Sequence, residues 1–389
     1  MNLSPWPKFY REDIEEVSQV LCSGKVNYWT GNKGKEFEKK FADYVGTSNA
    51  IALSNGTVAL TAAYLSLGLG EGDEFITTPR TFIATTSSGV LLRAKPIFAD
   101  VDINSGCISA KAIEPLITKK TKVISVVHLG GWPANMEEIC DLAKDKGIYV
   151  LEDCSQAHGA KIRGKSVGGF GNVATWSFCQ DKIMTTGGEG GMITTNSSNI
   201  YSQIWEYKDH GKSLEAIENT KNKKGFKWLH ESFGTNYRMT ELQSSIGLLQ
   251  LQKMMEWNNL RTKNAMIIFE AIENIPCVRV PLPNKNFKHA WYKFYAYIKP
   301  HNLLSDWSRD RVIHEITSRG FPAFSGSCSE IYLEKCFKNN KIGPKNRLCN
   351  ARLLGETSIV FLVHPTISYT EIIKYSEVIA KVLKLASKK

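Results

Sequence analysis

Between residues 45 and 200 short apolar runs alternate with stretches of helical period, and this alternation restricts the fold more than any other feature of the chain. I-A-L (51–53) leads into V-A-L-T-A-A-Y-L-S-L-G, and F-I-T-T-P (75–79) is followed by T-F-I-A-T-T-S-S-G-V-L-L-R. Then come P-I-F-A-D-V-D, K-V-I-S-V-V-H-L, the helical N-M-E-E-I-C-D-L-A-K-D-K-G and I-Y-V-L-E-D. Strands and helices alternating at this spacing predict an α/β fold, a mainly parallel central sheet flanked by helices. Ligands of such sheets bind beyond the carboxyl ends of the strands, so the residues just after each strand are the ones to inspect.

After residue 255 the pattern changes. M-T-E-L-Q-S-S-I-G-L-L-Q-L-Q-K-M-M-E-W (239–257) has apolar positions at three- and four-residue spacing and predicts a long helix. F-Y-A-Y-I (294–298), an irregular stretch at 321–350 and a terminal helix from about Thr370 predict a smaller α+β domain. The expected division is a large domain over 1–255, N-terminal segment included, and a small one over 256–389. With no repeat, low-complexity tract or flexible linker between them, the two should pack together.

Composition excludes several function classes. No run of about 18 apolar residues is present, so no membrane-spanning helix is expected. The N-terminal M-N-L-S-P-W-P-K-F-Y-R-E-D lacks the basic-then-apolar pattern of an export signal, so a cytoplasmic location is expected. The nine cysteines are scattered from Cys22 to Cys349, none within four residues of another. That spacing offers no zinc pair and fits reduced thiols, so no metal is expected. The net charge of +11 raises nucleic-acid binding, but the lysines are dispersed and accompany no recognition motif. A small phosphate-bearing substrate would use a basic surface equally well.

At the strand ends, S-N-G-T (54–57) follows a strand and opens a helix. It reads either as a plain helix cap or as an anion site on free N–H groups. Asp153 lies just past I-Y-V-L, where a buried carboxylate needs a cation or several donors; an ordinary capped loop would serve as well. Phe82 begins a helix after another strand and is either core or a ligand platform. Lys182 stands in S-F-C-Q-D-K-I-M-T-T-G-G-E-G-G (177–191), between two strand-like segments and just before four glycines. A charged lysine left unpaired between buried strands is costly, so Lys182 either reaches solvent or is there for its amine.

Taken together, a phosphate cradle, a platform ring, a buried carboxylate and an isolated lysine match what pyridoxal phosphate needs. Its phosphate sits at a helix start, its ring nitrogen takes an Asp and its aldehyde forms a Schiff base with a lysine. S-N-G-T, E-D-C-S-Q-A-H-G-A, S-F-C-Q-D-K-I-M-T-T-G-G-E-G-G and G-T-N-Y-R-M-T-E-L-Q together resemble the sugar-nucleotide aminotransferases of the aspartate aminotransferase class, fold-type I. The resemblance runs from N-Y-W-T-G near Tyr28 to V-H-P at His364. It implies that residues 1–255 bind the cofactor and that Lys182 is the Schiff-base lysine and proton carrier. It further implies that Asp153 pairs with the ring nitrogen, Gln156 with the ring hydroxyl and Phe82 with the ring face. The amides of Gly56 and Thr57, with the Ser177 hydroxyl, would hold the phosphate. Asn236, in the G-x-N-x-R motif, would reach the phosphate in the neighbouring subunit of a homodimer, and Trp29, Arg238 and His364 would touch substrate.

The reaction so implied takes an amino group from L-glutamate, leaves pyridoxamine phosphate, and delivers the amine to a nucleotide-linked keto-sugar. T-T-G-G-E-G-G after the lysine looks like members that act at sugar carbon 4 rather than carbon 3. The preferred acceptor is a dTDP-4-keto-6-deoxyhexose, ahead of UDP- and GDP-sugars, in the synthesis of deoxyaminosugars for O-antigen or another surface glycan. Related dehydratases carry histidine in place of the lysine, which argues against that activity here. A pyridoxal phosphate lyase and a non-catalytic regulator on the same fold are the alternatives. The stretch F-S-G-S-C-S-E-I-Y-L-E (324–334) departs from the more aromatic sequences common at that place in the family.

Overall fold

The computed structural model describes residues 3–388; Met1, Asn2 and Lys389, and so the first two residues of the N-terminal stretch read above, lie outside the described residues. The strands in chain order are β1 (Asn49–Leu53), β2 (Glu74–Thr77), β3 (Lys95–Phe98), β4 (Thr121–Val127) and β5 (Tyr149–Asp153). They continue with the two-residue β6 (Lys161–Ile162) and β7 (Lys165–Ser166), then β8 (Val173–Ser177) and β9 (Gly191–Thr195). Last come β10 (Val278–Arg279), β11 (Phe287–Lys288), β12 (Phe294–Ile298) and β13 (Ser358–Phe361).

The central sheet has the order β1-β9-β8-β5-β4-β2-β3. Its pairs are parallel except at β9, which runs antiparallel to both β1 and β8. β9 can run backwards because residues 178–190 return the chain from β8 by a turn, with no crossover helix. The sheet is covered on both faces. Ala50, Ala52, Ile124 and Val150 join the core with Phe37, Phe41 and Ile139, whereas Ile51, Leu53, Val123 and Leu151 join Tyr64, Phe75 and Trp205 on the other side. Strand residues alternate between faces, and with both faces buried the strands read as unbroken apolar runs. β1, β2, β4, β5 and β8 therefore end together at one edge.

The long helix spans Glu241–Ile272, 32 residues, well past the expected end at Trp257. Ala265, Ile268 and Ile272 continue its buried stripe, and no glycine or proline follows Trp257 within the helix. Thr240 and Gln243 close a reciprocal capping box at its start, and Glu241 accepts from the amides of Lys33 at 2.6 Å and Gly34 at 3.0 Å. Leu248, Met254 and Trp257 belong to the core around the sheet, and Ala265, Ile268 and Ile272 to the core of the C-terminal part. Residue 255 thus lies inside one continuous helix. The C-terminal part is an antiparallel sheet, β10-β12-β13, with the helices Arg309–Ser318 and Tyr369–Ala386 packed on it. Among the described residues no helix is long and apolar enough to cross a membrane.

A buried polar cluster of His128, Glu152 and Cys154 lies at the end of β5. Glu152 accepts four hydrogen bonds: from the amides of Gly168 (2.8 Å), Phe170 (2.8 Å) and Gly171 (2.7 Å), and from His128 Nε2 (3.1 Å). Since His128 Nδ1 accepts from the Ala134 amide at 3.0 Å, the ring proton is assigned to Nε2. Four donors use the acceptor capacity of one carboxylate. Burial works to raise the Glu152 pKa, but His128 and the amides outweigh it and hold it below the usual carboxylate range. The cluster is a structural knot in which the carboxylate is already saturated, and no cation is needed to explain it.

Three buried histidines give the fold a pH dependence. Burial pushes His158, His289 and His364 each down to about 3, with Arg261 adding to the effect at His158 and His364, and Lys182 at His158. Unfolded histidines protonate near ~6.5, so below that pH the unfolded chain binds more protons and stability falls as pH drops toward 3. We expect the urea midpoint to fall between pH 7.5 and pH 5. His158→Leu, which loses no hydrogen bond because neither ring nitrogen has a partner, should flatten that fall by about one proton. An unchanged slope would mean that His158 is not held neutral.

Candidate active site

The joined strand ends open into a cavity of about 1080 Å³, lined by Gly56, Thr57, Phe82, Asp153, Gln156, Ser177 and Lys182. Asp153 closes β5 and is buried. Its Oδ2 accepts from Thr85 Oγ1 at 2.7 Å, and its Oδ1 from Ser155 Oγ at 2.6 Å and the Ser155 amide at 3.1 Å. Three donors satisfy the carboxylate at a depth where a bare one would be costly. Gln156 Oε1 accepts from the Gly130 amide at 2.7 Å, which leaves its NH₂ as the uncommitted end. Phe82 lines the cavity with its residue surface 67% exposed, so it is not a core residue.

The helix Gly56–Ser66 starts at the cavity, and its N-cap Asn55 takes only the Val58 amide. The amides of Gly56 and Thr57 have no carbonyl to bond within the helix, and they lie at the positive end of its dipole. A Cβ on Gly56 would come within 2.8 Å of Ser177 Cβ. Glycine thus lets the helix start approach the end of β8, where Ser177 lines the same cavity.

Lys182 lies in the turn between β8 and β9, with its backbone carbonyl accepting from the Trp6 indole at 2.8 Å. Its side chain is 15% exposed, with Nζ 4.0 Å from Asp181 Oδ1 and 5.2 Å from the Tyr292 ring centroid. A carboxylate and an aromatic face therefore receive its charge. The glycines after it serve the path of the chain. Gly187 and Gly188 adopt left-handed φ of 88° and 120°, and a Cβ on Gly191 would lie 2.3 Å from the Asn55 carbonyl oxygen. They shape the turn and bring β9 against the start of the helix Gly56–Ser66.

Several lining residues escaped the sequence reading. Asp181 accepts from the Tyr292 hydroxyl and lies 3.6 Å from Lys293 Nζ. Burial works to raise the Asp181 pKa, but Lys182, the Tyr292 hydroxyl and Lys293 outweigh it and hold it low. Burial, then Asp181, push the Tyr292 hydroxyl up. The signal for Lys293 was present: a lysine in the aromatic run H-A-W-Y-K-F-Y-A-Y-I, the same anomaly that singled out Lys182. Thr85 carried no signal, since only the fold brings it to Asp153. The divergent stretch 324–334 contributes Phe324, Ser327 and Cys328 to the wall.

Four sequence-predicted residues are not brought into this cavity within one chain. Trp29 Nε1 donates to Asp209 Oδ2 at 2.8 Å and Arg238 Nη1 pairs with Asp209 Oδ1 at 2.7 Å, so one buried carboxylate holds both away from the cavity. Asn236 is exposed on the surface, with Oδ1 3.4 Å from the Arg238 amide. His364 stacks on Trp6, pairs with Thr366 Oγ1 at 2.8 Å and lines a neighbouring cavity of about 580 Å³.

An open helix start, a fixed carboxylate and a nearly buried lysine, all in one cavity on a mainly parallel sheet, fit a pyridoxal phosphate-dependent enzyme, and the family match makes it an aminotransferase. The chain belongs to the DegT/DnrJ/EryC1/StrS aminotransferase family, whose sequence profile matches residues 7–382. It is similar to the aminotransferase from Psychrobacter cryohalolentis, at 49% identity with 99% of each chain covered and a TM-score of 0.97. It is 38% identical to the GDP-perosamine synthase of Escherichia coli O157:H7 over 289 residues, 74% of this chain and 75% of that protein. With the spore coat polysaccharide biosynthesis protein SpsC of Bacillus subtilis it shares 33% identity over 292 residues, 75% of this chain and 74% of that one.

Gly56→Ala should weaken cofactor binding by about tenfold, the equivalent of one lost hydrogen bond to a charged group, by pushing the helix start off Ser177. Titration of the apoprotein with pyridoxal phosphate, with circular dichroism to verify the fold, measures this. Unchanged affinity would show that the close approach does not serve the phosphate.

Proposed function

We propose that the protein moves the amino group of L-glutamate to carbon 4 of a dTDP-linked 4-keto-6-deoxyhexose, supplying an amino sugar for O-antigen or another surface glycan, as a cytoplasmic homodimer. The observation that carries this reading is the single cavity shared by Lys182, Asp153 and the first turn of the helix Gly56–Ser66. The kinship with a GDP-perosamine synthase favours a second reading in which the acceptor is linked to GDP. The T-T-G-G-E-G-G stretch supports carbon 4 over carbon 3.

When bound, pyridoxal phosphate supplies an aldehyde for the amine in transit and a ring that takes up the electrons released with the proton. Gly56, Thr57 and Ser177 would hold the phosphate. Asp153, already oriented by Thr85 and Ser155, would pair with the ring nitrogen and favour its protonated form, and Gln156 would offer its free NH₂ to the ring hydroxyl. Phe82 would stand against the ring. Lys182 Nζ, as the free amine, takes the proton from the amine-bearing carbon of glutamate and later delivers one to the sugar carbon. Asp181 and Tyr292 hold Lys182 beside the reacting carbon.

Replacing Lys182 tests this directly. Lys182→Ala should abolish transfer while the fold and phosphate-anchored cofactor remain, measured by product analysis against dTDP-, UDP- and GDP-linked 4-keto-sugars. For the wild type, NMR of the product reads which carbon is aminated. Turnover at the wild-type rate in Lys182→Ala would sink the mechanism.

Exposed rings support the homodimer reading. Phe226, Trp228 and Phe233 are 78%, 81% and 102% exposed in one chain, in the same loop region that leads to Asn236. Apolar surface of that size marks a contact site. If Asn236 reaches the neighbouring subunit's phosphate, Asn236→Ala should lower cofactor affinity by about ten- to a hundredfold, the loss of one bond to a charged group. With Asn236→Ala alone measured as severely impaired, mixing it with inactive Lys182→Ala should restore part of the activity. A mixed dimer holds one site with both residues intact. No recovery after verified subunit exchange would mean that each site is built within one chain.

A further inference from the structure

A donor with two carboxylates enters a cavity whose walls already carry Asp153, Asp181, Glu189 and Glu334. Each carboxylate it brings needs a cation or several donors once water is displaced. Among the described residues lining the cavity, the cations are Lys182 and Lys293, and the Lys182 amine is engaged in the transfer. We infer that Lys293 takes a carboxylate of the amino donor and so sets the donor preference of the enzyme; this rests on the proposal that the donor is glutamate.

The geometry favours Lys293 in three ways. Its Nζ lies 4.9 Å from the Tyr292 ring centroid and that of Lys182 lies 5.2 Å from it, and both stand beside the Asp181 carboxylate, at 3.6 and 4.0 Å. A donor whose amine is at Lys182 thus has Lys293 as the neighbouring cation for its carboxylate. Next, Lys293 Nζ is 3.6 Å from Asp181 Oδ2, beyond hydrogen-bond reach, and that oxygen already accepts from the Tyr292 hydroxyl. The ammonium is thus kept in place by Asp181 while its donors stay uncommitted. Finally, the side chain is 27% exposed and Phe324 lies beside it at 5.9 Å. Partial shielding of this kind strengthens a charge pair compared with one in open water.

The test compares wild-type holoenzyme with Lys293→Met, which keeps the apolar stem against Tyr292 and Phe324 but removes the charge, and with Lys293→Arg, which keeps it. Each is titrated with L-glutamate in the absence of acceptor, following the loss of visible cofactor absorbance. Binding of glutarate, a dicarboxylate with no amine to transfer, is measured by calorimetry. Lys293→Met should weaken glutamate by about ten- to a hundredfold and glutarate in parallel, with Lys293→Arg recovering most of the loss. The KM for the keto-sugar nucleotide should stay unchanged. Should Lys293→Met lose its cofactor, Lys293→Gln serves the same comparison. Unaltered glutamate binding in the uncharged variant, or an equal loss for the keto-sugar, would overturn the role of Lys293. A wild-type holoenzyme that does not react with glutamate at all would instead remove the donor assignment, and this inference with it.

Discussion

Two adjacent carboxylates at the end of β5 are the constraint on which the site and the core around it depend. Glu152 and Asp153 are both buried, and neighbouring residues of a strand point to opposite faces. Neither charge is tolerable without donors, and the chain supplies them from different places. Glu152 draws in His128 and the amides of residues 168–171, which fixes the segment leading into β8. Asp153 draws in Thr85 from the helix after β2 and Ser155 from its own loop. One acid therefore holds the strand ends together, and the other is left aimed at the cavity those ends form.

The same economy governs the turn that carries Lys182. A lysine beside two buried strands is acceptable because Asp181 and the Tyr292 ring receive its charge. The left-handed glycines that follow reverse the chain, and Gly191 packs β9 onto the carbonyl of Asn55. Lys182 and the start of the helix Gly56–Ser66 are thus positioned by one stretch of backbone. Trp6, from the N-terminal segment, bonds the Lys182 carbonyl and has Arg261 of the long helix over its ring, so the N-terminal segment and the long helix both bear on this turn.

The helix Glu241–Ile272 contributes buried residues to both cores. Arg261, buried on this helix, donates to the carbonyls of Trp291 and Tyr292 at 3.3 Å each. It thereby fixes the residue that carries Asp181 and faces Lys182. The C-terminal part is in this way connected to the chemistry of the sheet, and a change in one would be felt in the other.

What the sequence determined by itself was what local chemistry encodes. Unbroken apolar runs gave the parallel strands, because a strand covered on both faces has no polar side to show. Gly56, Asp153 and Lys182 could be picked out because each sits where its residue type is costly unless something nearby requires it. The length of the long helix past Trp257 was hidden, since its buried stripe passes from one core to another. Tertiary structure alone decided that Thr85 meets Asp153, that Tyr292 and Lys293 join Lys182, and that Asp209 keeps Trp29 and Arg238 out of the cavity. These are contacts between residues 29 to 180 positions apart. A sequence records which side chains need partners, but only the packed chain decides which partner comes within reach.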